Sequence, residues 1–427
     1  MKPLWTSTML SLVKRMATAM IPQNIYDETS PSDEQFAAIR AIEDWYSDKR
    51  APQVYFLGGG AGTGKSYTAN KVIERLKERN KVKKVASGAY TGKAAHILRK
   101  KGVKDATTIH QMIYEPREDE ETGEIYFVSR IDGPAAEADL IVLDECSMID
   151  ERLANDILMF GKKVLVLGDP YQLPPVSGAG AFTKSAPDFL LREIHRQAKE
   201  SPIIRLATMI RNGELPRRFG SAGSAHVLPL TPQTQRLVAR RTTQTLCGVH
   251  KVRFAYTSRL RALHGFSDPM PMRGEPVMCC KNNRDAALFN GMMGIMTADA
   301  EQGFEKGEGV FNLSVLIEDE AKRRKDLPTS PWMFQQHFNH SITRPKIRKG
   351  IEEFDFGYVL TVHKAQGSEW DSVTVIDDSR VFRDDRWRWL YTAVTRASDE
   401  LVLLLREDLG GRWNMPVFDD CELQLAA

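Results

Sequence analysis

Gly59, Gly60, Ala61, Gly62, Thr63, Gly64, Lys65 and Ser66 have the G-x-x-x-x-G-K-[ST] spacing of a phosphate-binding loop. The glycines let backbone N–H groups turn inward around an anion. Lys65 is placed to reach the β- and γ-phosphates of a nucleoside triphosphate, ATP in the first instance, and the Ser66 hydroxyl to ligate Mg²⁺. Asp144 and Glu145 close the apolar run 140–143. A buried strand rarely ends in two acids without a reason. Asp144 would hold Mg²⁺ through water, and Glu145 would orient and deprotonate an attacking water. Gln172 follows a second apolar run, 164–167, and its amide can donate to a phosphate while accepting from water. Arg196 reads either as a structural ion-pair residue or as a cation aimed at the γ-phosphate, and Arg396 is a second such cation. Together these types and spacings point to triphosphate hydrolysis.

The elements needed to position them are visible in the hydropathy pattern. Run 54–57 reads as a buried strand feeding the loop, and 67–80 as the amphipathic helix that follows it. Ser32 caps a helix reaching Trp45, and Gln35 just inside it could read an adenine edge. Strand 84–89 leads to Thr91 and Lys93, and 106–110 is another strand-to-helix transition, ending at His110; both suit phosphate-backbone contacts. Residues 114–133 break the strand–helix rhythm as a hairpin, with an acidic run at 118–121. Its aromatics Tyr126 and Phe127 read as core or as a wedge against base pairs. Further on, 201–212 and 233–246 read as helices, and 252–256 and 274–280 as strands. Residues 297–354 read as a small β-rich insertion broken by the basic runs 322–325 and 344–349, either solvated surface or a strand-guiding patch. Parallel-sheet rhythm returns with 357–362, strand 373–376, helix 389–396 and strand 401–405.

Composition narrows the classes. The 427 residues allow two or three domains. Net charge is +3, from 59 basic and 56 acidic residues, so any polyanion track must be local. The five cysteines show no C-x-x-C or disulfide-framework spacing, which fits a reduced, cytoplasmic chain. No run approaches the roughly twenty apolar residues of a membrane span. Residues 1–25 read as a disordered or weakly helical leader.

Taken in order, these residues resemble the superfamily 1 helicases, specifically the RecD/Dda-like group of the 1B branch. The resemblance is carried by Gln35, the loop 59–66, 89–95, 106–110, 144–148, 168–176, Arg196, 363–369 and 394–396, and covers about 30–405. It implies an α/β fold of two RecA-like parallel-sheet P-loop domains in tandem, at 26–195 and 196–427. A β-hairpin insertion is implied in the first (about 111–136) and an SH3-like β insertion in the second (about 297–354). It further implies that Gln35 reads adenine and that Gly367 and Glu369 border the nucleotide. Thr91, Lys93, His110, Thr361 and His363 would line single-stranded DNA, with Tyr126 or Phe127 in the separation pin. Pro174, Pro175 and Val176 would link nucleotide state to DNA grip. The chain departs from the family at Thr257 and Ser258, where Thr-Asn is usual. The expected activity is ATP-dependent 5′→3′ translocation and unwinding by a monomer in the bacterial or phage-infected cytoplasm. Its substrates would be single strands and duplex junctions, with replication or recombination proteins as partners. A nucleotide-gated recruitment ATPase and an RNA helicase are the alternatives.

Overall fold

The computed structural model describes residues 30–406 apart from 101, 119–124, 175–179, 195–199, 240–242, 284–287, 289, 318–321 and 340–342. The leader and the acidic run beyond Glu118 therefore lie outside the described residues.

Three six-stranded sheets organise the described residues. The first runs, in spatial order, Thr107–Thr108, Val85–Ala89, Leu140–Asp144, Lys163–Gly168, Val54–Gly59 and Phe189–Leu191, with every pairing parallel. Parallel strands are covered on both faces, which is why 140–143 and 164–167 are apolar without alternation. Helices Asp33–Ser47 and Lys65–Glu78 pack on one face, and Ile109–Ile113 and Glu151–Leu158 on the other. Ser32 caps the first helix in a reciprocal box with Gln35. The hairpin is present as Tyr114–Glu118 paired with Ile125–Ser129.

The second sheet runs Val359–Thr361, Gln244–Cys247, Trp370–Ile376, Ala397–Leu405, Ala225–Pro229 and Gly220–Ala222, parallel except at the last pair. Helices Pro202–Arg211 and Arg386–Val394 pack together on it. The third sheet is antiparallel and joins Glu301–Glu305, Glu308–Ile317, Met293–Met296, Pro276–Cys279 and Phe354–Phe356, with Lys322–Thr329 along Glu308–Ile317. It begins earlier than the expected insertion at 297. The basic run 322–325, read as a break, opens a strand.

Two further expectations are corrected. The range 233–246 holds a short helix, Pro232–Val238, and the interior strand Gln244–Cys247. Residues 252–256 are not a strand but part of helix His250–Leu263. The alternation of Val252, Phe254 and Tyr256 suggested period two. The buried face of that helix is instead Arg253, Thr257, Leu260 and Arg261, so charge sits where a pattern search looks for apolar residues. Arg253 donates to Asp355 at 2.5 Å, and Arg261 makes a bidentate pair with Glu275 at 2.6 and 3.0 Å. All four side chains are buried. His337 holds Asp355 from the other side at 2.7 Å; because a carboxylate only accepts, Nε2 carries the hydrogen. These pairs fasten the antiparallel sheet to the second parallel sheet.

Burial opposes the Asp355 charge, but Arg253 and His337 prevail and hold its carboxyl well below the usual range. A carboxyl held low contributes stability that is present above its unfolded value of 3.8 and is lost as pH falls below it. Arg253→Leu should cost about 3–5 kcal/mol at neutral pH, since it strands a buried carboxylate. Arg253→Leu with Asp355→Leu should recover most of that loss in urea unfolding, and its stability should fall less steeply below about pH 4.

Candidate nucleotide and nucleic-acid site

The loop 59–66 joins strand Val54–Gly59 to helix Lys65–Glu78. A Cβ on Gly59 would lie 2.4 Å from Thr63 Oγ1, so only glycine permits this tight a loop. Gly64 caps the helix at φ 79°, a left-handed conformation that glycine adopts without strain. No side chain caps this helix, unlike that at Ser32, which leaves its first N–H groups to an anion. Lys65 Nζ donates to the carbonyls of Gly59 and Gly60 at 2.8 and 3.2 Å, folded over its own loop. Gln35 is buried and donates from Nε2 to the Thr63 carbonyl at 3.4 Å. The expected adenine reader thus touches the phosphate loop itself.

Asp144 ends its strand beside the loop, and Ser66 and Asp144 line one small cavity. Among the described residues no group of three or more His, Cys, Asp or Glu is placed to hold a metal alone. The donors fit a Mg²⁺ carried by one hydroxyl, one carboxylate and nucleotide oxygens. Glu145 has φ 53° and ψ 47°, a left-handed conformation that costs a glutamate about 1–3 kcal/mol and that clusters at functional sites. Its N–H donates to Asp144 Oδ1 at 2.9 Å. Gln172 is buried, and its Oε1 has no hydrogen-bond donor. A buried orphan acceptor here suits a residue whose partner arrives with the ligand.

The second sheet reaches this site by residues that sequence reasoning missed. Tyr391 accepts from the Ala61 N–H at 2.9 Å and donates to Asp169 Oδ2 at 2.6 Å. Burial pushes the Asp169 carboxyl up, against Lys65 and Tyr391. Burial and Asp169 push the Tyr391 phenol well above its usual range, so it remains a donor. One residue on, Thr392 Oγ1 accepts from the Leu173 N–H at 2.9 Å, and Gln366 donates to the Leu173 carbonyl at 2.9 Å. The Arg211 guanidinium lies 4.9 Å from the Tyr171 ring centre. The one available signal was an acid, Asp169, directly after a buried strand.

Arg396 is buried and donates to the carbonyls of Thr392 and Ser368 and to Thr395 Oγ1, all on or beside the elements of the second sheet. Arg196, Pro175 and Val176 lie outside the described residues, and Lys93 and Tyr126 outside the described side chains. Pro174 follows Leu173 in the bridging loop.

The nucleic-acid candidates fall together in part. Thr91 and His110 follow the carboxyl ends of neighbouring strands. A Cβ on Gly367 would lie 3.4 Å from Thr91 Oγ1, which brings the turn 361–367 of the second sheet against the first. Gly367 thus lies beside Thr91 and Ala94, and Glu369 is exposed. Thr361 is buried and caps helix Val362–Ala365, with His363 ringed by Phe382 at 5.6 Å. His110 contacts Tyr114 at 5.7 Å, and Tyr114 contacts Phe127 at 6.3 Å, an aromatic path running onto the hairpin. Phe127 is 55% exposed and so is not core. The run 344–349 is largely exposed, and Arg344 and Arg348 pair with Glu353 and Glu308.

Comparisons with known proteins agree with this arrangement. Residues 31–228 match the model of an AAA domain, and 356–404 that of a UvrD-like helicase C-terminal domain. The chain is 29% identical to the ATP-dependent RecD2 DNA helicase of Deinococcus radiodurans over 80% of its own length and 46% of the relative's. It is 21% identical to the ATP-dependent DNA helicase Pif1 of Campylobacter jejuni over 82% of its own length and 87% of the relative's. It spans less than half the length of the first curated relatives it matches. A Bacteroides Pif1 helicase solved with ADP-AlF3 and single-stranded DNA shares the fold, with a TM-score of 0.54 at 18% identity, over 93% of this chain and 97% of that one. The order of the two matched domains, their separate sheets and the relatives that run the length of both lead to one assignment: the chain belongs to the RecD/Pif1-like group of superfamily 1B helicases.

Proposed function

We propose that the chain is an ATP-driven motor that moves 5′→3′ along single-stranded DNA and separates duplex ahead of it. The observation that carries this reading is a single interface. Tyr391 and Thr392 of helix Arg386–Val394 and Gln366 after helix Val362–Ala365 hydrogen-bond to the phosphate loop and to the loop 169–174, while Gly367, next to Gln366, meets Thr91. Nucleotide and nucleic-acid candidates are thus a few residues apart on one wall. In this reading the parallel sheets are tandem RecA-like domains, the antiparallel sheet is the SH3-like insertion, and the hairpin carries the pin. The direction rests on the 1B assignment.

The loop amides and Lys65 hold the phosphates. Gln35 holds the base. Ser66 and Asp144 would hold Mg²⁺, which supplies positive charge to the phosphates when bound. Glu145 takes the proton from the attacking water, and Gln172 Oε1 accepts from that water's other hydrogen. Arg196 and Arg396 add charge as the domains close, which requires Arg396 to leave its internal carbonyls. Closure then couples to strand grip through Leu173, Gln366 and Gly367. The motor works as a cytoplasmic monomer serving replication or recombination. No helix among the described residues is long and apolar enough to cross a membrane.

Single-stranded DNA should stimulate ATP hydrolysis, and Lys65→Ala should abolish it. Unstimulated hydrolysis would instead indicate a recruitment switch, and equal stimulation by RNA an RNA motor. A forked duplex with a 5′ tail should be unwound and one with a 3′ tail left intact; the reverse result refutes the direction. Phe127→Ala should lower strand separation about tenfold while leaving DNA-stimulated hydrolysis within about twofold, because it removes a stacking face and no phosphate ligand.

A further inference from the structure

We propose that Arg211 contacts the outermost phosphate of a bound nucleoside triphosphate and lets the second domain distinguish triphosphate from diphosphate. The inference rests on the nucleotide reading of the loop 59–66. Arg211 ends helix Pro202–Arg211, which packs against helix Arg386–Val394 of the second domain. Its guanidinium is half-buried and stacks on Tyr171, which edges onto Tyr391 with ring centres 6.2 Å apart. Among the described residues no carboxylate pairs with it. A guanidinium brought this far into an interface usually meets a carboxylate or a phosphate.

The nearest part of the first domain is the phosphate loop. A Cβ on Gly60 would lie 3.3 Å from Arg211 Nη1 and 3.1 Å from Tyr391 Oη. The two side chains therefore stand together over Gly60 and Ala61, at the end of the loop away from the helix N-terminus. That terminus takes the inner phosphates, which leaves the outermost phosphate toward Gly60 and Ala61. There the Tyr391 hydroxyl accepts from the Ala61 N–H at 2.9 Å. An arriving phosphate oxygen competes for that N–H and presents a dianionic group to Arg211. The planar, stacked guanidinium needs little reorganisation to donate to it. Arg211 is a separate cation from Arg396, whose three donors are turned to acceptors of its own domain.

The test is equilibrium binding of fluorescent ADP and of a fluorescent non-hydrolysable ATP analogue, each with Mg²⁺, to the full chain. Arg211→Gln should weaken the ATP analogue about 10- to 100-fold, the worth of one hydrogen bond between charged groups, and leave ADP within about twofold. Arg211→Lys, which keeps the charge and loses the fork, should fall between. A helix-end or packing role predicts parallel loss of both ligands, and that result, or no loss of either, overturns the proposal. If Arg211→Gln does not fold, Tyr171→Leu is measured instead; it removes the platform and should weaken the ATP analogue alone. Wild-type chain that binds neither nucleotide would refute the loop reading itself, and Lys65→Ala, expected to lose both ligands, marks that case.

Discussion

One phenolic hydroxyl spans the two parallel sheets. Tyr391 donates to a carboxylate buried in the first domain and accepts from an N–H of the phosphate loop. Each of those groups is costly to bury alone. Asp169 is almost wholly inaccessible, and an isolated buried carboxylate is tolerated only with donors around it. Tyr391 is itself buried, with both of its hydrogen-bonding roles met from the other domain. Asp169 Oδ1 accepts from the Tyr171 N–H of its own loop, whereas Oδ2 takes its donor from Tyr391 across the interface.

The neighbouring contacts extend the same logic. Thr392 and Gln366 take the N–H and the carbonyl of Leu173, so one peptide segment of the first domain is clamped at two points from the second. Moving the loop 169–174 away from these partners would break both hydrogen bonds at one residue. Because Gly367 abuts Thr91, a change at Leu173 has a short path to the wall on which the nucleic-acid candidates lie.

Much of this was legible in the sequence, and the misses share a cause. The phosphate loop, the Asp144 and Glu145 strand end, the helix cap at Ser32 and the hairpin all depend on local pattern, and local pattern is what a sequence displays. Helix His250–Leu263 was hidden because its inner face carries two arginines whose acidic partners are Asp355 and Glu275. The strand Lys322–Thr329 was hidden because a strand paired on one side can carry charge. Tyr391 and Arg211 had no signature, since each gains its meaning from a residue brought near only by folding.

The buried pairs Arg253–Asp355 and Arg261–Glu275 also bear on mechanics. Apolar surfaces slide past one another at small cost, whereas a desolvated ion pair loses its partner abruptly and leaves two bare charges. The antiparallel sheet is riveted to helix His250–Leu263 by two such pairs rather than resting against it. Any displacement of helix His250–Leu263 would therefore carry this sheet with it as one body. Its outer hairpin, between Glu301–Glu305 and Glu308–Ile317, carries Phe304 almost fully exposed two residues from Lys306.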